Sequence, residues 1–131
     1  AVAVRLPVLA AHLTASRMAS AVTPAVTVER FGGPDVLQVQ ERELPPLGEH
    51  QVLVALRASG VNPSDTYVRL GPDGPYAGKP ELLPKLPYTP GKDGAGVVEA
   101  VGAGVTAFKE GDRVYTTNSV TGTYAGKAVC P

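Results

Sequence analysis

The sequence predicts a mainly β fold, a partly open barrel with one or two short helices. Fifteen glycines and 13 prolines among 131 residues give a turn-rich composition, since these two residue types average roughly 12% of a protein. Hydrophobic residues make up 44% of the chain, which is enough for a single core at this length. The apolar residues fall in short runs between turn residues, which is the pattern of strands. Closure into a barrel is expected because it removes exposed strand edges.

Length and charge exclude several functions. A chain of 131 residues fits one domain, whereas a complete dinucleotide-binding domain alone takes about 150 residues. Twelve basic residues balance 12 acidic ones, so no DNA or anionic membrane partner is predicted, and the charge gives no support for RNA binding. The single cysteine, Cys130, excludes an internal disulfide and a cysteine-based zinc cluster. No apolar run approaches the 18 residues of a membrane span.

Residues 1–24 are interpreted as an extension, and residues 25–131 as the folded domain. The extension holds Arg5, Arg17 and His12, and no acidic residue precedes Glu29. This composition is typical of a mitochondrial transit peptide. The alternatives are an extension that is not part of the protein, with Met18 as the true start, and a structural segment. A cytoplasmic location is predicted, with mitochondria as the alternative.

The strands are predicted from alternating or continuous apolar residues. The run over 51–61 is the longest and is expected to be a central strand. In the second strand, Leu37 and Val39 are the apolar positions. The predicted strands cover 25–28, 36–43, 51–61, 93–101, 113–117 and 123–129.

One helix is predicted over 62–69. Asn62 is a good N-cap, Pro63 is favoured at the first helical position, and Asp65 suits the helix dipole. Gly71 and Pro72 end the helix. The following stretch, residues 71–90, holds six prolines and is predicted to be an irregular loop. Its length is typical of a binding loop.

Most chemical motifs are absent or weak. Residues 102–107 match the letters of a dinucleotide-binding fingerprint, but the polar turn at 109–112 leaves no room for the helix that this motif requires. His12 and His50 are the only histidines, too few for a metal site, and His50 is predicted to be a solvated loop residue. No serine has the base that a nucleophile needs. The strongest cluster is 60–67, which places Asn62, Asp65 and Tyr67 at the start of the helix. Its alternative interpretation is a capped helix with Tyr67 packed on the core.

Five motifs occur in an order and spacing that resemble the zinc-free quinone oxidoreductases, a zeta-crystallin-like branch of the medium-chain dehydrogenase/reductase superfamily. They occupy 30–37, 60–67, 86–91, 94–102 and 108–114. The resemblance covers about 25–129 and implies a GroES-like barrel, with a Rossmann domain that binds NADPH (the NADP cofactor) lying outside this chain. It further implies that Tyr67 contacts the nicotinamide, that Asn62 and Asp65 lie beside it, and that the loop 71–90 borders the quinone. No catalytic residue is assigned.

Zinc-dependent relatives carry Cys where Asn62 stands and His and Glu where Lys92 and Asp93 stand, so the resemblance implies no zinc. Quinones or other small electrophiles are the expected partners, and full-length family members are expected to be homo-oligomers. The chain departs from the family at Gly126 and Lys127, where the last strand is expected to end differently. As the N-terminal domain of a reductase, the chain is expected to be a fragment and inactive alone. Two alternatives stay open, an independent GroES-like binding module and an enoyl or alkenal reductase.

Overall fold

The structure, a computed structural model, describes residues 22–131 and confirms a mainly β fold. Four residues interpreted in the sequence analysis lie outside this range: Arg5, His12, Arg17 and Met18. Over the described range the chain forms six strands, one α-helix and three short 3-10 turns, the latter at Pro34–Val36, Gly71–Asp73 and Pro80–Leu82. The regular elements are β1 (Val22–Val28), β2 (Leu37–Glu43), β3 (Val52–Ser59), α1 (Pro63–Leu70), β4 (Gly94–Val101), β5 (Arg113–Thr116) and β6 (Lys127–Cys130).

The strands form two antiparallel sheets. One contains β1 and β2, and the other has the order β5-β4-β3-β6. Two isolated bridges extend β1, from Val28 to Tyr88 and from Ala25 to Ala125. Because only these bridges continue the pairing beyond the β1–β2 sheet, the barrel is partly open, as the sequence predicts. The prediction that the 51–61 run is a central strand is also confirmed, since β3 pairs with both β4 and β6.

The continuous apolar run of β3 is buried on both of its faces. Leu53 packs with Leu44 and Val129 in one cluster. The neighbouring residues of β3 point the other way and form a second cluster, whose buried members are Val52, Val54, Ala128 and Cys130. A strand covered on both sides needs apolar residues at every position rather than at alternate ones. Cys130, the last residue of β6, is buried in the second cluster.

One prediction about the first sheet needs correction. Strand β1 begins at Val22, three residues before Ala25, because Pro24 is accommodated opposite Glu41 in the pairing with β2. In β2, the two apolar positions Leu37 and Val39 are both exposed. Strand β2 pairs with β1 alone.

The last strand also differs from its prediction. It begins at Lys127 rather than at residue 123, because the preceding residues bond to other segments. The N–H groups of Thr123 and Tyr124 donate to the carbonyls of Gly91 and Pro90, and the Gly126 N–H donates to Pro24. These residues therefore tie the loop before β4 to β1 instead of continuing the four-stranded sheet.

The rejected fingerprint at 102–107 is a turn, as predicted. A Cβ on Gly102 would lie 2.1 Å from the Gly48 carbonyl oxygen, so this glycine permits a close approach of two loops. A Cβ on Gly104 would likewise come too close to the His50 ring. His50 is exposed, which confirms that it is a loop residue.

Candidate functional site

The cluster at 60–67 forms the junction between β3 and α1. The Gly60 N–H donates to the Asp93 carbonyl over 2.9 Å, which fixes the end of β3 beside β4. Asn62 has extended backbone angles at the N-cap, and Pro63 takes the first helical position. The helix therefore starts as the sequence predicts, one residue later than the bound at 62 because Asn62 is the cap itself.

Asn62 is held by a residue from the neighbouring strand segment. Its side-chain amide Nδ2 donates to the Asp93 Oδ2 over 2.8 Å. The backbone bond between Gly60 and Asp93 lies directly beside this contact. The orientation of Asn62 is thus set by β4 as well as by its own helix.

Asp65 faces the protein interior, with 7% of its surface exposed. Its Oδ2 accepts the Asn62 N–H over 2.9 Å and the Tyr124 hydroxyl over 3.0 Å. Burial, together with the hydrogen bond to the Asp65 carboxylate, raises the pKa of Tyr124 to about 12. The Tyr124 hydroxyl therefore stays protonated near neutral pH and remains a donor.

Tyr67 is not buried with the core. Its side chain is 38% exposed, and its ring makes an edge-to-face contact with Tyr76 at a centroid distance of 6.0 Å. Residues two positions apart in a helix point to different sides. Tyr67 therefore lies on a different face of α1 from Asp65, and the structure joins only Asn62 and Asp65 of the three predicted site residues by a hydrogen bond.

The other end of α1 is fixed by residues that the sequence analysis did not single out. Arg69 is 9% exposed, and its Nη1 donates to the Gly32 carbonyl over 2.6 Å. In return, the Gly32 N–H donates to the Arg69 carbonyl over 2.9 Å. Gly71, at the end of the helix, has a φ of +62° and lies close to the Phe31 ring. The motif at 30–37 therefore fixes the end of α1 through these contacts.

A cavity of about 570 Å³ lies on the Asp65 side of α1. Its wall includes Val68, Tyr76 and much of the loop after α1, but neither Asn62 nor Tyr67. The hydroxyl of Tyr88, another wall residue, is buried without a hydrogen-bond partner, and burial is the main reason that its pKa is raised to about 12. Of the wall residues, Tyr76 also contacts the Tyr67 ring.

The residues at the positions of the relatives' zinc ligands do not fit a zinc ion. Asn62 and Asp93 are already bonded to each other, and the side chain of Lys92 is no ligand while it carries its charge. Over residues 22–131 there is no group of three or more His, Cys, Asp or Glu side chains that could hold a metal. In the same range no helix has the length and apolar character needed to cross a membrane.

Comparisons with known proteins agree with this geometry. Residues 48–130 match the alcohol dehydrogenase GroES-like domain. The chain is 53% identical to quinone oxidoreductase of Lama guanicoe over 106 residues, which are 80% of this chain and 30% of the relative. It therefore spans less than a third of that relative's length.

Solved structures give the same result. Quinone oxidoreductase of Pseudomonas syringae pv. Tomato DC3000 superposes with a TM-score of 0.72 at 39% identity, covering 83% of this chain and 31% of that one. Quinone oxidoreductase of Escherichia coli, solved in complex with NADPH, gives 0.65 at 34% identity and covers 82% and 31%. The chain thus belongs to the alcohol dehydrogenase GroES-like domain family, in the zeta-crystallin-like quinone oxidoreductase branch of the medium-chain dehydrogenase/reductase superfamily.

Proposed function

We propose that this chain forms the substrate-side half of an NADPH-dependent quinone reductase that works without zinc. The observation that carries the proposal is the 2.8 Å hydrogen bond between Asn62 and Asp93. By the family resemblance, these two residues stand at positions where zinc-dependent relatives carry Cys and Glu. A reaction that needs no Lewis acid from the protein suits a quinone, because its carbonyls accept electrons readily from a reduced nicotinamide.

The exposed side of the first turn of α1 fits a nicotinamide ring. Tyr67 offers an aromatic edge, and the apolar side chain of Val61 is 75% exposed beside Asn62. Flat rings bind well against such surfaces when a few polar groups fix their orientation. When bound, NADPH supplies the reducing electrons.

The residues of this chain orient the reactants and exclude water. Asn62 directly follows Val61 in the chain, and its orientation is fixed by Asp93. Tyr67 limits the position of the ring, and no proton transfer is assigned to it. The remaining proton of the hydroquinone comes from solvent in this scheme.

A hybrid enzyme tests the proposal directly. The matched segment of this chain replaces the corresponding segment of the Lama guanicoe quinone oxidoreductase, and oxidation of NADPH is followed with a para-benzoquinone as acceptor. We expect activity within about tenfold of the parent, because half of the residues are identical. We expect Asn62→Ala and Tyr67→Ala in the hybrid to lower kcat/KM by about tenfold or more, on the order of one lost contact.

The outcomes separate the candidate functions. A hybrid that folds but is inactive would count against every reductase function of this chain. It would favour the alternative of an independent GroES-like binding module. Turnover of enones that is faster than turnover of quinones would identify an enoyl or alkenal reductase instead. Addition of zinc to the hybrid is expected to leave the rate unchanged. Addition of a chelator is expected to have no effect either.

A further inference from the structure

We propose that Asp65 and Tyr124 form a positioning pair, in which the Asp65 carboxylate fixes the first turn of α1 through Tyr124 and does not itself contact the cofactor. This inference deepens the function proposed above and rests on it. It gives Asp65 a role different from the cofactor contact that the family resemblance implies. It also assigns a role to Tyr124, a residue that no sequence motif pointed to.

The geometry turns the carboxylate of Asp65 into the protein. A carboxylate with so little exposure requires hydrogen-bond partners. Both of the bonds to Asp65 Oδ2 come from the framework, one from the Asn62 N–H and one from the Tyr124 hydroxyl 59 residues later in the chain. Tyr67 lies on another side of the helix, so Asp65 is turned away from the face that carries the proposed ring contact.

Tyr124 is well suited to be the fixed end of this contact. Its N–H donates to the Pro90 carbonyl, and its own carbonyl accepts the N–H of Val26 in β1. Its ring packs so closely on Gly91 that a Cβ there would lie 2.4 Å from the ring. The hydroxyl therefore projects from an immobile point to the first turn of α1.

The consequence for the site follows from the helix itself. Asn62 and Tyr67 are carried by the turn that Asp65 closes, so release of the Tyr124 bond lets both side chains shift together. A displacement of about 1 Å can cost a reaction of this kind up to 10²-fold in rate. One charge-assisted hydrogen bond is lost in Tyr124→Phe, and we expect a loss of about fivefold to tenfold.

The first experiment uses the 131-residue chain without any cofactor. Tyr124→Phe is compared with Tyr115→Phe, which removes the same hydroxyl from a tyrosine that is 82% exposed. We expect amide hydrogen exchange at Asn62 to become about tenfold faster in Tyr124→Phe and to stay unchanged in the control. In Asp65→Asn, the Tyr124 hydroxyl should titrate at lower pH, because the carboxylate that helps to raise its pKa is gone. The NMR signal of the ring carbon that bears the hydroxyl follows this titration. Unchanged exchange and titration would overturn the inference.

The second experiment uses the hybrid enzyme with reduced coenzyme deuterated at the transferred position. A misplaced ring slows the chemical step, so the deuterium isotope effect on kcat should rise in Tyr124→Phe. A variant that merely unfolds in part loses active enzyme and keeps the isotope effect of the parent hybrid. We expect the double variant Asp65→Asn/Tyr124→Phe to be no slower than the slower single variant, because both changes break one contact.

The two proposals fail in different ways. If the unaltered hybrid is inactive, the proposed function is wrong, while the exchange and titration data still decide whether Asp65 and Tyr124 hold the turn. If the hybrid is active and Tyr124→Phe behaves like Tyr115→Phe, the positioning role is wrong. Additive losses in the double variant would mean that Asp65 acts independently of Tyr124, which also overturns the inference.

Discussion

Gly71→Ala should destabilise the protein strongly, because it combines two separate costs. Gly71 has φ +62° and ψ −134°, a backbone conformation that residues with a Cβ rarely adopt. Such a conformation costs of order 1–3 kcal/mol for a non-glycine residue. The added Cβ would also lie 2.3 Å from the Phe31 ring, and relief of such overpacking costs about 1–3 kcal/mol. The expected total is about 2–6 kcal/mol.

A matched control separates the two costs. Gly78 has a φ of +75°, and a Cβ there would have no atom within 4 Å. Gly78→Ala therefore has the cost of its backbone angles without the steric clash, about 1–2 kcal/mol. The difference between the two variants isolates the contact with Phe31.

Urea unfolding of both variants measures this difference. With a slope of about 1–3 kcal/mol per M for a small protein, the midpoint of Gly71→Ala should lie clearly below that of Gly78→Ala. Equal midpoints would refute the reasoning, since they would mean that Phe31 moves away at no cost. In that case the end of α1 is not held by the 30–37 motif in the way described above.

Three further predictions follow from the buried polar groups. Tyr88→Phe should leave the free energy of unfolding unchanged or raise it by up to about 1 kcal/mol, since the Tyr88 hydroxyl is buried without a partner; a loss above 1 kcal/mol in thermal unfolding would show that the hydroxyl is bonded. The raised pKa values of Tyr88 and Tyr124 mean that above pH 10 the folded protein keeps protons that the unfolded chain loses. The free energy of unfolding should therefore be unaffected by these groups below pH 10 and fall as the pH rises from about 10 to 12. Urea midpoints of the wild type that stay constant over that range would contradict this. Burial raises the pKa of the Cys130 thiol, so a thiol reagent at pH 8 should label Cys130 only after unfolding; rapid labelling of the native protein would show that the end of β6 opens.

The architecture was predictable where a residue's neighbours in sequence decide its structure. The cap at Asn62 and the proline at position 63 define the start of α1 locally, and the unbroken apolar run marks β3 as a strand covered on both faces. The alternation of Leu37 and Val39 indicates a strand, as observed, but it does not say whether the face that carries them is buried. Whether it is buried depends on a covering element, and among the described strands β2 has none.

The candidate site was only half predictable, for a related reason. The segment 60–67 is continuous, so its spacing could be read from the sequence. Its supports come from residues 93 and 124, which approach it only in the folded chain. A buried carboxylate needs a hydrogen-bond donor, yet nothing in the sequence marks Asp65 as buried. The sequence does not say which donor meets it.

The supports of α1 differ in a way that matters for function. At its end, Arg69 and Gly32 exchange two hydrogen bonds that involve backbone groups, and Gly71 packs on Phe31. At its start, the supports are side-chain bonds from Asp93 and Tyr124 to Asn62 and Asp65. A substitution can remove such a side-chain bond and leave the backbone bonds at the other end in place. The position of the first turn can therefore be altered by single substitutions while the end of α1 keeps its place in the fold.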